Sequence, residues 1–580
     1  MPLPPSSFLP TTPEELLARG WKDLDVILVS GDAYVDTPYS GIALVGRALE
    51  ARGFRVGIIG QPAVATLADI QRLGPPRLFW GVSSGSVDSM VANYTASGKP
   101  RRSDDFTPGG INNRRPDRAC IAYANLIRRA FRPCAPIILG GIEASLRRIA
   151  HYDFWSNTIR RSVLLDAKAD AIVYGMGERT VCELAARLRD GQPWQNLPGL
   201  CHVAATLPEG AIELPAYEVV APTVTAESPA AALDARHAFM RMTLDFLANQ
   251  DWHTAKPLAQ RHDRRWLVQN PPAEPLRTEE LNAVYRLPFQ REAHPFDAAQ
   301  GAITGLETVR FAITTHRGCY GECNFCAIAA HQGRGVNSRS EAAILEEAAA
   351  FTRHPRFRGV ISDVGGPTAN MYGFACSKLQ NQGACADRRC LFPTCCPNLK
   401  PDHAPLTRLL TRLRNLPGVR HVFVGSGIRH DLVVADARNG EAYLETLTTH
   451  HVSGQLKLAP EHSEPRVLEL MGKPDTSSLL QFKARFDAIT RRLGKPQFLT
   501  YYLIAAHPGS TEDDMRRLRD FAQRNLHLLP EQVQIFTPTP STLSTAMYCT
   551  GLDPATGAPI FVARGGRERE QQKLLLAASR

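Results

Sequence analysis

The sequence has no run of about 18 apolar residues, the length a helix needs to span a bilayer, so it predicts neither a transmembrane helix nor a membrane partner. Its opening, Met1-Pro-Leu-Pro-Pro-Ser-Ser-Phe-Leu-Pro10, lacks a basic stretch followed by an apolar one and does not read as a secretion signal. No run of five like charges occurs, and the basic pairs Arg101-Arg102, Arg114-Arg115, Arg128-Arg129 and Arg160-Arg161 are scattered. The net charge of +10 and pI near 9.0 therefore allow nucleic acid as a partner, while the dispersal favours a solvated basic surface. No RNA-binding module is recognisable. Thirteen cysteines in 580 residues are too few for a disulfide scaffold. What remains is an ordinary globular composition, 44% hydrophobic and 21% charged, long enough for about three or four domains.

The cysteines are few but crowded. Eight of the thirteen fall between Cys319 and Cys396, which suggests metal chemistry in a reducing cytoplasm. Three stand in one short loop, Cys319-Tyr-Gly-Glu-Cys323-Asn-Phe-Cys326, after the strand-like run Thr308–Thr314 and before a helical stretch from Ser340 to Ala350. Thiolates are soft ligands, and three on a tight loop can hold three corners of an iron–sulfur cube. The fourth iron is then open, and an open metal position is where a ligand binds and reacts. A structural zinc site and three unrelated core cysteines are the bland alternatives, though zinc motifs usually offer paired C-x2-C knuckles.

The chain divides by pattern. Residues 1–23 read as a Pro-rich N-terminal arm. From 24 to 206, apolar runs at Asp25–Ser30, Phe54–Gly60, Leu78–Ser83, Pro136–Gly141 and Ala171–Gly175 alternate with helical stretches. That alternation predicts an α/β, doubly wound parallel sheet. Ligands on such sheets bind beyond the carboxyl ends of the strands, here Ser30-Gly31-Asp32, Ser83–Ser86 and Gly140–Ser145. Asp88–Arg118 is a long polar loop, read either as a cover for substrate or as a surface insertion. Between 207 and 304 the alternation fails; a helical stretch from Ala226 to Gln250 and the stiff Asn270–Pro275 suggest a connector. From 305 to 552, six apolar runs (Val309–Thr314, Val360–Asp363, His421–Gly425, Gln455–Ala459, Phe498–Ile504 and Gln532–Phe536) alternate with helical patterns such as Leu406–Leu416 and Leu479–Leu493. Six βα units predict a partial (βα)6 barrel with its chemistry at the strand ends, where the cysteine loop lies. A Cys-rich insertion occupies 370–400 and a tail 553–580.

The first domain resembles the cobalamin-binding type of Rossmann domain, in the order of its elements, in Gly140-Gly141…Ser145 and in Gly175-Met-Gly-Glu178. That type carries D-x-H-x-x-G, whose His ligates cobalt; the matching segment is Asp36-Thr-Pro38-Tyr-Ser-Gly41. Pro38 has no side-chain donor, so the fold without cobalamin is the favoured reading and cobalamin bound without that His the other.

The cysteine loop, with Phe325 before its last cysteine, resembles the signature of radical S-adenosylmethionine enzymes. The resemblance implies that Cys319, Cys323 and Cys326 hold a 4Fe-4S cluster whose open iron binds S-adenosylmethionine (SAM), which is cleaved reductively to methionine and a 5′-deoxyadenosyl radical. It implies further that Phe325 borders adenine and that Gly365-Gly366 meets the methionyl amino group through its backbone, Pro367 replacing the usual acid. Ser426, Gly427 and Glu461 would reach the ribose, and Ile504 would flank adenine. Each also has a structural reading, as turn glycines or core. His331-Gln-Gly-Arg334, Ser426–Asp431, Leu456–His462, His507-Pro-Gly509 and Phe536–Pro540 narrow the resemblance to the YgiQ-type radical SAM proteins, from about Leu24 to Leu552. That resemblance implies a cytoplasmic enzyme of unassigned substrate, fed by an electron donor such as a flavodoxin or ferredoxin, its N-terminal half shaping the substrate entrance. His331, nearest the cluster loop, is the candidate catalytic residue among the histidines; His462 and His507 also sit near strand ends.

A second group, Cys376, Cys385, Cys390, Cys395 and Cys396, suits a second iron–sulfur cluster, a structural zinc or redox thiols, with the adjacent Cys395 and Cys396 poorly placed to share one ion. The rival readings of function are methyl or methylthio transfer to RNA or a small molecule and, in another class, a non-catalytic iron–sulfur or zinc protein serving as redox sensor or scaffold.

Overall fold

The computed structural model describes residues 7–225, 228–528 and 533–577. They form two compact units, Met1–Leu276 with Glu280–Arg310, and Arg277–Glu279 with Phe311–Arg580. Among the described residues, no helix is long and apolar enough to cross a membrane.

The first unit is built on one nine-stranded sheet. Strands β1 (Val26–Ser30), β2 (Val56–Gly60), β3 (Phe79–Ser83), β4 (Ile137–Leu139) and β5 (Ala171–Val173) pair in parallel in the order 2-1-3-4-5, a doubly wound arrangement. β1 and β2 are buried at every position, which is why they read as unbroken apolar runs rather than alternating ones. Helix Gly41–Glu50 packs its Ile42, Ala43, Ala48 and Leu49 into a core shared with Val181, Leu184 and Ala185 of helix Glu178–Arg189.

The stretch 207–304, read from the sequence as a connector, instead extends this sheet. β6 (Leu200–Ala204) runs antiparallel to β5, and beyond it stand β7 (Ile212–Leu214), β8 (Leu258–His262) and β9 (Arg265–Gln269), in the order 6-9-8-7. Glu213, Gln260, Arg261, His262, Arg265 and Gln269 interrupt these strands, so they lack the apolar run that flagged the first five. The helix between them is Pro229–Ala248, while Ala226, where the helical pattern was taken to begin, lies outside the described residues.

The 88–118 loop packs down onto its own unit. Arg115 is buried and holds Asp32 Oδ1 at 2.7 Å and Asp104 Oδ2 at 2.9 Å, and it donates to the Ser84 carbonyl at 2.5 Å. Asp32 also accepts from the Ser86 amide and hydroxyl, each at 2.6 Å. The loop thereby covers the carboxyl ends of β1 and β3. In the loop after β1, Asp36 is buried against Arg47 of helix Gly41–Glu50 at 2.6 Å, two residues before Pro38.

The second unit is the partial barrel. β10 (Ala312–Thr314) is shorter than its apolar run, because Gly305–Val309 closes into a helical turn, with the Arg310 amide donating to the Leu306 carbonyl. After it come a small antiparallel pair, β11 (His316–Arg317) and β12 (Asn337–Ser338), and the second barrel strand in two pieces, β13 (Val360–Ile361) and β14 (Asp363–Gly365). β15 (His421–Val422), β16 (Gln455–Glu461), β17 (Phe498–Ala505) and β18 (Gln534–Ile535) complete it, Gln532 lying outside the described residues. Each barrel strand pairs in parallel with the next, through an Ile428–Leu458 bridge between the third and fourth. Leu406, Leu409, Leu410 and Leu413 place one helical face in the barrel core, together with Phe482, Phe486 and Ile489 of helix Ser477–Leu493. β17 alternates: Leu499, Tyr501, Leu503 and Ala505 join that core, leaving Thr500, Tyr502 and Ile504 on the opposite, more accessible face. The stretch expected as a tail supplies helix Gly566–Leu576, whose Leu576 enters the core and whose Gln572 accepts from the Ala506 amide at 2.9 Å.

Replacing Arg115 with Met leaves Asp32 and Asp104 buried without their cation. The expected loss is about 3–5 kcal/mol of stability in the first unit, read as a lower denaturation midpoint.

Candidate radical SAM site

The cysteine loop is pinned at both ends and at its tip. At its start, β11 pairs with β12, and Gly318 follows with φ +80°. A Cβ there would stand 1.8 Å from the Gly335 carbonyl oxygen, so only glycine fits. Asn324, between the second and third cysteines, accepts no side chain's help: its amide donates to the Met471 carbonyl and its Nδ2 to the Leu470 carbonyl, both at 2.9 Å. The Asn324 carbonyl in turn accepts from the Ser544 amide at 2.9 Å. The Cys326 amide donates to the Cys323 carbonyl at 3.0 Å, closing the last turn.

This anchoring brings three half-buried thiols into one neighbourhood. Burial and the nearby Cys323 push the Cys326 thiol up to about 12, and the same two causes raise Cys319. Cys319 and Cys326 therefore resist ionising unless a cation replaces their protons, which is what metal ligation does. The Gly321 amide donates to Cys319 Sγ at 3.3 Å, and the Thr368 hydroxyl lies 3.7 Å from it. Among the described residues no three His, Cys, Asp or Glu side chains converge as ligands of one metal ion. A cube makes no such demand, since each thiolate holds its own iron. The donor set therefore fits an iron–sulfur cube of three protein ligands.

Arg429 is the site residue that sequence reasoning did not single out, although it lies within the quoted Ser426–Asp431 motif. It is buried, its Nη1 donates toward Cys323 Sγ at 3.6 Å, and its other nitrogens grip Asp431 at 2.8 and 2.5 Å. Burial opposes ionisation of Asp431, yet the adjacent guanidinium holds its carboxyl well below the usual range. A fixed positive charge thus stands beside the thiolates. Nothing in spacing or periodicity marks it; only the fold of the third strand end carries it there.

The other predicted residues are placed as follows. Gly365 ends β14, and Gly366 lies against His316: a Cβ on Gly366 would stand 2.5 Å from His316 Nε2. Its glycine is required by this close approach, whatever its backbone binds. Ser426 gives its hydroxyl to Asp363, which also accepts from the Gly425 amide at 2.8 Å, so this turn is held to the second strand. The Gly427 carbonyl accepts from the Ala369 amide at 3.1 Å. Glu461 ends β16 with φ +70°, a conformation costing a non-glycine residue about 1–3 kcal/mol and typical of functional sites. Burial pushes its carboxyl upward against the pull of Lys473 and Arg429, and its charge acts on Cys326. Phe325 sits edge-on to His507, ring centres 6.4 Å apart. Ile504 lies on the face of β17 away from the helical core. His331 is half-buried on the short helix Ile328–Gln332 that follows the loop. His462 and His507 are buried, and His507 lies between Ser544 Oγ at 2.7 Å and the Pro508 carbonyl at 2.8 Å.

Comparison with known proteins bears on the whole chain. Residues 8–312 match the radical SAM N-terminal family and 313–522 the radical SAM superfamily; 531–578 match a domain of unknown function. A UPF0313 protein of Fusobacterium nucleatum is 49% identical over 574 residues, covering 99% of each chain. One from Thermotoga maritima is 49% identical over 573 residues, covering 98% of each. The chain belongs to the UPF0313 family of radical SAM proteins. It is thus an enzyme of the radical SAM class, which implies a 4Fe-4S cluster and SAM. Among solved structures, the radical SAM methyltransferase TsrM of Kitasatospora setae, with cobalamin and a 4Fe-4S cluster bound, has a TM-score of 0.50 at 16% identity, covering 94% of this chain and 84% of that one. At that identity the likeness concerns the fold alone.

Two outcomes follow from the electrostatics of this family member's barrel. The Arg429→Met, Asp431→Asn pair leaves no unpaired carboxylate but removes the cation beside the thiolates; cluster affinity should fall by about tenfold or more, read as iron retained after dilution with a chelator. Burial lowers His316, His451 and His462 to about 4. The unfolded chain protonates them below about 6.5. It therefore binds more protons than the folded unit between pH 6.5 and 4, so the stability these histidines contribute falls as pH drops through that window, and their effect levels off below it. Denaturant midpoints taken across this range check the slope.

Proposed function

We propose that this chain cleaves SAM reductively and directs the resulting 5′-deoxyadenosyl radical to a substrate held at the barrel mouth. The observation that carries the reading is the set of three half-buried thiols on one pinned loop after the first barrel strand, with Arg429 beside them. When bound, the cluster supplies the electron that breaks the sulfonium bond. The chain's own part is to hold and orient. Cys319, Cys323 and Cys326 would hold the cluster at three of its irons. Arg429 offsets negative charge at the thiolates. Gly366, flat against His316, offers bare backbone where the methionyl group would lie. Glu461, held in its left-handed turn near Cys326, presents a carboxylate to the ribose, and Phe325 and Ile504 offer apolar surface to adenine. The electron donor belongs to the flavodoxin or ferredoxin class.

A second reading is methyl transfer, favoured by the likeness in fold to a cobalamin-bound methyltransferase. Cobalamin would bind here without a cobalt–imidazole bond from the first loop, because position 38 is proline. It would also have to share the ends of β1 and β3 with Arg115 and the 88–118 loop.

Anaerobic, reduced protein given SAM should release 5′-deoxyadenosine, and Cys323→Ala should release none. S-adenosylhomocysteine in place of 5′-deoxyadenosine would favour methyl transfer. Neither product from cluster-loaded protein would sink both readings.

A further inference from the structure

The second cysteine group resolves, in space, into four and one. Cys376, Cys385, Cys390 and Cys396 line a single cavity of about 400 Å³, open mouth included. Its charged walls are Arg334, Arg388, Arg389 and Glu322. Cys395 is not among the residues lining it, and its surroundings include Asp431 and Arg429 as well as Cys396.

The segment around this cavity has little else to hold it. Residues 383–403 contain no helix or strand. Leu391 and Leu399 join Cys376, Tyr320, Met371 and Phe374 in a small core, and Cys390 and Cys396 pack against it. An irregular stretch of this length inside a compact unit needs a staple, and a metal bound by thiolates provides one. The charge also suits a thiolate-bound metal: three guanidinium groups against one carboxylate leave a positive wall, the complement of four thiolates. That wall is tied to the first cysteine loop, because Glu322 holds Arg334 at 2.7 Å and its carbonyl accepts from Arg389 at 3.3 Å.

Four thiolates on one zinc ion all converge to about 2.3 Å from a single point, whereas a cube takes one thiolate at each of four irons. Here four cysteines line the walls of one cavity beside a positive surface, the setting a cube with four protein ligands requires. We propose that Cys376, Cys385, Cys390 and Cys396 ligate a second 4Fe-4S cluster, wholly protein-bound, with Cys395 outside the ligand set. Each thiol releases its proton to solvent and forms one iron–sulfur bond, with no change in the oxidation state of its sulfur. With no open iron, this cluster does not bind SAM.

The test uses the full chain carrying C319A, C323A and C326A, reconstituted anaerobically with iron and sulfide. It should retain about four irons and four sulfides per chain, and its reduced electron paramagnetic resonance spectrum should be indifferent to SAM. The C385A, C390A chain should also retain about four irons, with a spectrum that changes on adding SAM, and C395A should hold about eight, like the unaltered chain. An iron-free but folded triple variant would overturn the proposal, as would one zinc per chain in place of the second set of irons. If the triple variant does not fold, the unaltered chain decides: about eight irons support the second cluster and about four refute it. These counts do not depend on SAM cleavage, so a failure of the proposed reaction and a failure of this site are separable.

Discussion

Three half-buried thiols on one loop are the constraint on which the second unit is built. Ionised without a partner, they would repel one another in a medium that screens poorly. Protonated, they would be inert. The surroundings answer that problem in kind. Arg429 brings a permanent positive charge to within hydrogen-bonding reach of Cys323, and Asp431 holds that guanidinium in place. The Gly321 amide points at Cys319. Such devices stabilise a charged centre without themselves titrating in the physiological range.

The rest of the barrel mouth is organised by close approach. Gly318 lets the loop leave β11 against the Gly335 carbonyl, and Gly366 lets the second strand end lie on His316. Asp363 ties the third strand's turn to the second strand. Glu461 is held in a conformation that costs energy, and the surrounding strand pairing sustains it. Each contact fixes a strand end, so residues far apart in sequence face one volume. That is the general logic of parallel α/β architecture, in which rigid strands carry variable chemistry on their carboxyl ends.

Much of this was legible beforehand. Five apolar runs became β1 to β5 because strands covered on both faces leave a plain signature. The six barrel runs became strands in sequential parallel order because they carry apolar residues into the barrel core, in β17 at alternate positions. The extension of the first sheet was not legible, because polar and charged residues interrupt β7, β8 and β9, and β7 and β9 join the sheet through partners tens of residues away. The last helix was read as a tail because Gly566–Leu576 is mostly charged and polar, with one leucine reaching the core. Arg429 escaped notice because an arginine in a motif has no periodicity; its meaning lies in the thiol it meets.

By itself the sequence determined the donor set, since C-x3-C-x2-C places three soft ligands within one loop's reach whatever the fold around them. It also determined the alternation that makes both units α/β, because burial of strands and helices is written in local hydrophobic pattern. Only the tertiary structure decided which charge stands beside the thiolates, which turns are held together, and that four cysteines of the second group share a cavity while Cys395 does not. Those are distances between residues remote in the chain, and packing alone sets them.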